Sequence, residues 1–165
     1  MGGIKLKQLS VDDDKNVWEM LQKIDSNENE FKNEVKGMSF EGFKSWLVQQ
    51  DNWSHGKYLP DGYVGQTTYW LYDGDVVVGY GKLRHRLTEH SRVNGGNIGY
   101  AIAKDFRGRG YGKQLFSMLL KEAENLGIKE IIATVEKNNL ASKIVIEQCG
   151  GHIIQENQER WYFSF

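Results

Sequence analysis

Apolar and polar positions alternate over Ile4–Leu9 as in an edge or half-buried strand, and Ser10, with three aspartates close behind it, offers a cap for a following helix. Val17, Trp18, Leu21 and Ile24 recur at helical spacing, and a second helix is expected from Ser39, with Phe40, Phe43, Trp46 and Leu47 on one side. Asp51–Gln66 holds the only proline, Pro60, and several glycines, and reads as a loop. Thr67–Tyr72 and Val76–Leu83 are β-branched and aromatic runs joined across Asp73-Gly74, which predicts an antiparallel hairpin. A polar stretch with His85, Glu89 and His90 leads to a strand at Ile98–Ala103. Gln114–Leu126 then reads as a helix stopped by Gly127, with Leu115, Phe116, Leu119, Leu120, Ala123 and Leu126 inward and Lys121, Glu122 and Glu124 outward.

Ile131–Val135 continues as a strand, Leu140–Gln148 as a helix ending at Gly150-Gly151, and His152–Gln155 and Trp161–Phe165 as closing strands. The order β-α-α-β-β-β-α-β-α-β-β is that of an α/β sandwich on a central mixed, mostly antiparallel sheet, formed as one domain over residues 1–165. Within it, Ile98–Val135 is expected to be a right-handed parallel crossover.

Composition narrows the function. The 165 residues carry 21 Lys+Arg against 22 Asp+Glu, so no global field draws a polyanion, and nucleic acid is not an expected partner. Any anion site is local. No run is apolar enough for a membrane span, and the N-terminus lacks the apolar stretch of a signal peptide. The single Cys149 cannot form an intrachain disulfide and no Cys/His spacing suits a metal, which fits a reducing, cytoplasmic setting.

The chemistry-bearing segment is Asp105-Phe106-Arg107-Gly108-Arg109-Gly110-Tyr111-Gly112-Lys113, between a strand and a helix. Alternate glycines allow a tight turn in which successive N–H groups converge on one anion, with the helix N-terminus adding partial positive charge. Such a cradle suits a pyrophosphate. Its glycine spacing is not that of a dinucleotide fingerprint, and Arg107 and Gln114 break a P-loop. A ligand-free glycine turn and an RGG-like RNA element are the remaining alternatives. The second is disfavoured by the near-neutral charge and by a segment that occurs once, inside a periodic fold.

On these residues the chain resembles the GNAT acetyltransferase superfamily: Arg107-x-x-Gly110-x-Gly112 matches its acyl-CoA signature, after a strand and before a helix. Thr67–Leu87 and Gly95–Gly112 are in detail similar to a group of bacterial acetyltransferases of undefined substrate. The resemblance implies that main-chain N–H groups of Gly108, Arg109, Gly110, Tyr111, Gly112 and Lys113 bind the pyrophosphate of acetyl-CoA, with Arg107 at the rim. The strand backbone near Ile102 and Ala103 would pair with the pantetheine arm. Asn139 and Ser142 fit the later Asn-x-x-Ala/Ser element, although a helix cap explains them equally well.

Acetyl transfer to an amine requires a base, a fixed donor for the developing oxyanion, and accommodation of the thiolate; one strand amide near Ile102 would supply about 3 kcal/mol of the second. The positions where the family often keeps its acid and base hold Ile146 and Asn97, which serve as neither. Glu136 or His85 is the expected base. Tyr100, another tyrosine or water would protonate the thiolate, unless it leaves unaided. The aromatic set Trp46, Trp53, Tyr58, Tyr63, Tyr69 and Trp70 falls where the family builds its acceptor pocket; most are expected in the core and one or two against an acceptor.

The expected function is N-acetyl transfer from acetyl-CoA to a primary amine of a small molecule or peptide in a ternary complex. A catalytically silent acyl-CoA sensor is the alternative. Nothing demands a homodimer, for which the C-terminal strand Arg160–Phe165 would supply an edge.

Overall fold

The computed structural model describes residues 3–165. In chain order the elements are β1 (Ile4–Gln8), α1 (Lys15–Leu21), a short hairpin of β2 (Asn27–Glu28) and β3 (Phe31–Lys32), α2 (Phe40–Ser54), β4 (Gln66–Asp73), β5 (Val76–Arg84), α3 (Glu89–Val93), β6 (Ile98–Ile102), α4 (Tyr111–Asn125), β7 (Ile132–Glu136), α5 (Leu140–Gln148), β8 (His152–Glu156) and β9 (Arg160–Ser164). The expected α/β order is present with β2, β3 and α3 added. Two-residue strands leave no periodicity to detect, and α3 is five residues started by a Thr88/Ser91 capping box and not by an apolar stripe. Helix α2 runs on to Ser54, past the expected loop boundary.

Strands β1-β4-β5-β6 form one antiparallel sheet and β7-β9-β8 a second. Every laddered pair among the described residues is antiparallel. The parallel pairing expected across Ile98–Val135 does not form a ladder among the described residues: β6 and β7 flank α4, belong to different sheets and share a junction. That junction is Asn97, only 1% exposed. Its N–H donates to the Ile132 carbonyl (2.9 Å), its Oδ1 accepts from the Ile132 N–H (2.9 Å), and its Nδ2 donates to the Arg84 carbonyl (3.2 Å). A residue that falls in the place of the family's base ties three strands at one point. Gly96 (φ 64°) precedes it, and a Cβ there would lie 2.0 Å from the Ile132 carbonyl oxygen.

The two faces of the larger sheet bury separate cores, as alternation along its strands dictates. Trp70 and Tyr80 pack with Val17, Leu21, Phe43 and Leu47 of α1 and α2; Tyr69, Leu71, Leu83 and Ile102 pack with Leu115, Phe116 and Leu119 of α4. Leu126, expected inward, is 51% exposed because α4 ends at Asn125 and the chain turns away at Gly127. The C-terminal strand is not an edge either. Strand β9 lies between β7 and β8 because both bracket it in register, so the edges of that sheet are β8, exposed throughout, and β7, which faces β6.

Candidate active site

Strands β6 and β7 diverge from the Asn97 junction, and a cavity of about 830 Å³ opens between them, lined by Ile98–Ile102 on one side and Ala133–Glu136 on the other. At one end stands the glycine loop. Gly108 (φ 78°) and Gly110 (φ 83°) are left-handed, with nothing within 4 Å of where a Cβ would be, so backbone conformation and not crowding selects glycine at both. Gly110 is the N-cap of α4 and offers no side chain to bond the first-turn amides; Gln114 N–H is the first to find an intrahelical acceptor, on Gly110. The N–H groups of Tyr111, Gly112 and Lys113 are thus uncapped at the head of a fifteen-residue helix, on residues that line the cavity. Uncapped N–H groups at a helix head carry partial positive charge and favour a negatively charged neighbour.

The register of β6 supplies the second part of the cradle. The Asn97 carbonyl accepts from Arg84 N–H and Ala103 N–H donates to the Val78 carbonyl, so the alternate residues Gly99 and Ala101 also turn their peptide groups to β5. Ile98, Tyr100 and Ile102 turn theirs into the gap. The Ile102 carbonyl is met there by Arg107 Nε at 2.9 Å, and the Arg107 guanidinium also pairs with Glu28 of β2 at 3.0 Å. Ala103, expected beside Ile102 as a partner for a pantetheine arm, has its N–H committed to Val78 and its carbonyl to Phe106 N–H. Arg109 lies outside the lining, with its guanidinium 5.6 Å from the Phe106 ring centroid.

On the far wall, Asn139 caps α5 by accepting from Ser142 N–H at 3.3 Å. The Ser142 hydroxyl lies 3.0 Å from the Tyr100 hydroxyl, across the gap between α5 and β6. Burial pushes the Tyr100 phenol up, so it keeps its proton through the neutral range. Ile146 is 2% exposed, in the core cluster against which Tyr100 packs.

Of the two expected bases, the structure brings one to the cavity. Glu136 ends β7 opposite Arg160 of β9, and the Arg160 guanidinium bonds Glu30 in the β2–β3 turn while lying 4.0 Å from Glu136. A hydrogen bond with Glu30, then burial and the Glu30 charge, raise Glu136 above the usual carboxylate range. Burial opposes ionisation of Glu30, but hydrogen bonds from Arg160 and Glu136 prevail and lower it. The two neighbouring carboxyls therefore differ in proton affinity, Glu136 holding its proton the more tightly. His85 stands outside the lining. Its Nε2 is 2.7 Å from Thr67 Oγ1, its ring lies where a side chain on Gly65 would go, and burial lowers its pKa.

Trp53 and Tyr63, edge to face at 5.4 Å, line the cavity. Trp46, Tyr69 and Trp70 are core, and Tyr58 is 84% exposed. Sequence reasoning missed Glu30 and Arg160, and also Lys82 and Arg84, which enter the cavity from β5. The signal for the last two is their phase: they continue the inward positions of Tyr80, where a charge is unexpected. Among the described residues no group of three or more His, Cys, Asp or Glu is placed to hold a metal, and no helix is long and apolar enough to cross a membrane.

No curated protein sequence matches the chain significantly. Solved structures do. A ribosomal-protein-S5-alanine acetyltransferase from Vibrio fischeri superposes with a TM-score of 0.72 at 14% identity over 100% of this chain and 93% of that one. The ribosomal L7/L12 α-N-protein acetyltransferase RimL in complex with coenzyme A gives 0.70 at 14% over 99% and 93%. A mutant of the spermidine N-acetyltransferase SpeG from Vibrio cholerae gives 0.65 at 15% over 98% and 92%. At these identities the likeness is one of fold. The sequence profile of the Acetyltransferase (GNAT) family matches residues 18–150, and the chain belongs to that family.

Proposed function

We propose that the chain transfers the acetyl group of acetyl-CoA directly to a primary amine, with both substrates held in the one cavity. The observation that carries this reading is the continuity of the free peptide edge of β6 with the uncapped N-terminus of α4: an amide-bearing arm ending in a pyrophosphate fits both at once. Acetyl-CoA supplies the activated acyl group.

The chain supplies everything else. Gly110–Lys113 hold the pyrophosphate on backbone N–H groups, while Arg107 closes the strand end and carries charge at the rim. The N–H groups of Ile98 and Tyr100 point into the gap as fixed donors for a carbonyl oxygen placed there. Glu136, with its raised affinity for a proton, accepts one from the amine, and Arg160 with Glu30 holds it in place. The Tyr100 phenol, oriented by Ser142, gives its proton to the departing CoA thiolate in the role that Ile146 cannot fill.

Binding of acetyl-CoA by titration calorimetry, followed by thiol release across a panel of primary amines, tests the proposal. The expected result is binding with turnover. Tyr100→Phe should then lower kcat by about 10- to 100-fold with little change in KM. Binding without turnover of any amine would favour the silent sensor, a reading consistent with the buried Ile146.

A further inference from the structure

We propose that the acceptor amine also bears an anionic group, a carboxylate or phosphate ester, which the partly buried cations Lys82 and Arg84 receive. This rests on the acetyl-transfer reading of the same cavity and names its substrate class.

Tyr80, Lys82 and Arg84 share one face of β5. Tyr80 is fully buried, so the next two positions of a core-facing phase are cations. The Lys82 side chain is 15% exposed. Its ammonium donates to the Lys32 carbonyl (2.7 Å), sits 5.0 Å and 5.8 Å from the Phe31 and Tyr80 ring centroids, and has Glu34 no nearer than 4.0 Å. The other Glu34 oxygen accepts from Trp46 Nε1 (3.0 Å). Arg84 donates once, from NH1 to the Gly96 carbonyl at 2.7 Å, and among the described residues no carboxylate lies within 4.0 Å of it. Its guanidinium rests over Gly95 (φ 93°), where a Cβ would be 3.1 Å away.

The remaining carboxylates of the cavity are already taken. Glu28 pairs with Arg107, and Glu30 and Glu136 gather around Arg160. Two partly buried cations with less than one carboxylate between them are better satisfied when an anion completes them. The free N–H groups of Arg84 form a planar fork suited to a carboxylate or phosphate.

Placement agrees with this assignment. Lys82 is in register with Gly99, and the Arg84 amide bonds Asn97, so both cations lie beside the start of β6. The glycine loop follows its other end. An acceptor with its anionic end here and Trp53 and Tyr63 along its body can present its amine toward Glu136. A polyamine would set ammonium groups against cations.

The test compares matched acceptors at saturating acetyl-CoA: L-phenylalanine against phenethylamine, L-tyrosine against tyramine, glucosamine 6-phosphate against glucosamine, with spermidine as polycation. In every pair that turns over, the anionic member is expected to exceed its mate by about tenfold or more in kcat/KM, chiefly through KM. Arg84→Gln and Lys82→Met are each expected to reduce that ratio, with Arg84→Lys restoring part of it. The amino-acid and sugar-phosphate arms separate carboxylate from phosphate.

Calorimetry with N-acetyl-L-phenylalanine and N-acetylglucosamine 6-phosphate on CoA-loaded protein reads the subsite without turnover, and Arg84→Gln should weaken whichever binds. The proposal is overturned if uncharged mates or spermidine serve as well as the anionic amines. It is equally overturned if Arg84→Gln and Lys82→Met, both folded by circular dichroism, leave the ratio unchanged, or if neither acetylated probe binds. Failure of the acetyl-transfer reading is distinct: no heat with acetyl-CoA and no thiol release, while the acetylated probes still bind in an Arg84-dependent way to unloaded protein.

Discussion

Burial pushes Lys82 down to about 8, with the nearby Arg84 charge acting in the same direction and Glu34 opposing both. The unfolded chain holds that proton to about 10.4, so below pH 8 the charged ammonium opposes folding, and stability rises as pH climbs from 8 to 10.4. A shift of this size corresponds to about 3 kcal/mol. Lys82→Met should therefore be more stable than the wild type at pH 7, by about 1–3 kcal/mol in urea unfolding, with the difference narrowing above pH 8. A gap that is constant with pH would assign it to packing alone. For the carboxyl pair, Glu30→Gln removes the negative charge that helps to raise Glu136. The acid limb of kcat/KM should then move to lower pH, and a limb that stays in place would take Glu136 out of the proton path. His85 shows how a sequence assignment goes astray at this scale. It follows Arg84 and falls in the opposite phase of the chain, so it turns toward Thr67 and Gly65 while its neighbour turns to the cavity. Glu30 and Arg160 are 130 positions apart, and nothing local announces their contact.

Between elements, the decisive joint is at Gly96-Asn97. Asn97→Leu would leave the Ile132 N–H and the Arg84 carbonyl without the partners they have in a dry site. The expected loss is about 2–5 kcal/mol, read as a fall in Tm of roughly 5–15 °C. Gly96→Ala meets both a left-handed backbone and the Ile132 carbonyl and should lower soluble yield more than Gly108→Ala, which meets only the first. Gly108→Ala should instead show its effect as weaker acetyl-CoA binding. The glycine loop and α4 were legible in the sequence because their signals are local: spacing, a strand before and an apolar stripe after. The hairpin β2–β3 was not. Its turn residues Asn29 (φ 49°) and Glu30 (φ 73°) are left-handed without being glycine, a conformation held in part by the Arg160–Glu30 contact from the far end of the chain. Strand β9 was recognised as a strand, but its interior place depends on which partners flank it, and a single chain's pattern does not carry that.

Taken whole, the molecule is two antiparallel sheets, with a small hairpin beside them, that are tied by hydrogen bonds at Asn97 and part around the cavity between β6 and β7. In the proposed function the cofactor arm is held by backbone, which is why the glycine motif was readable while the acceptor half was not. The alternate orientation of the β6 peptides also has an isotopic signature. In heavy water the amide hydrogens of Tyr100 and Ile102 should be replaced quickly and those of Ala101 and Ala103 slowly, a comb with every second tooth missing. Acetyl-CoA should fill the comb and slow the fast set toward its neighbours, whereas an anion bound at the loop alone would leave the teeth missing. The resolution of that single strand by proton exchange would thus report whether the gap between the sheets has gained its strand.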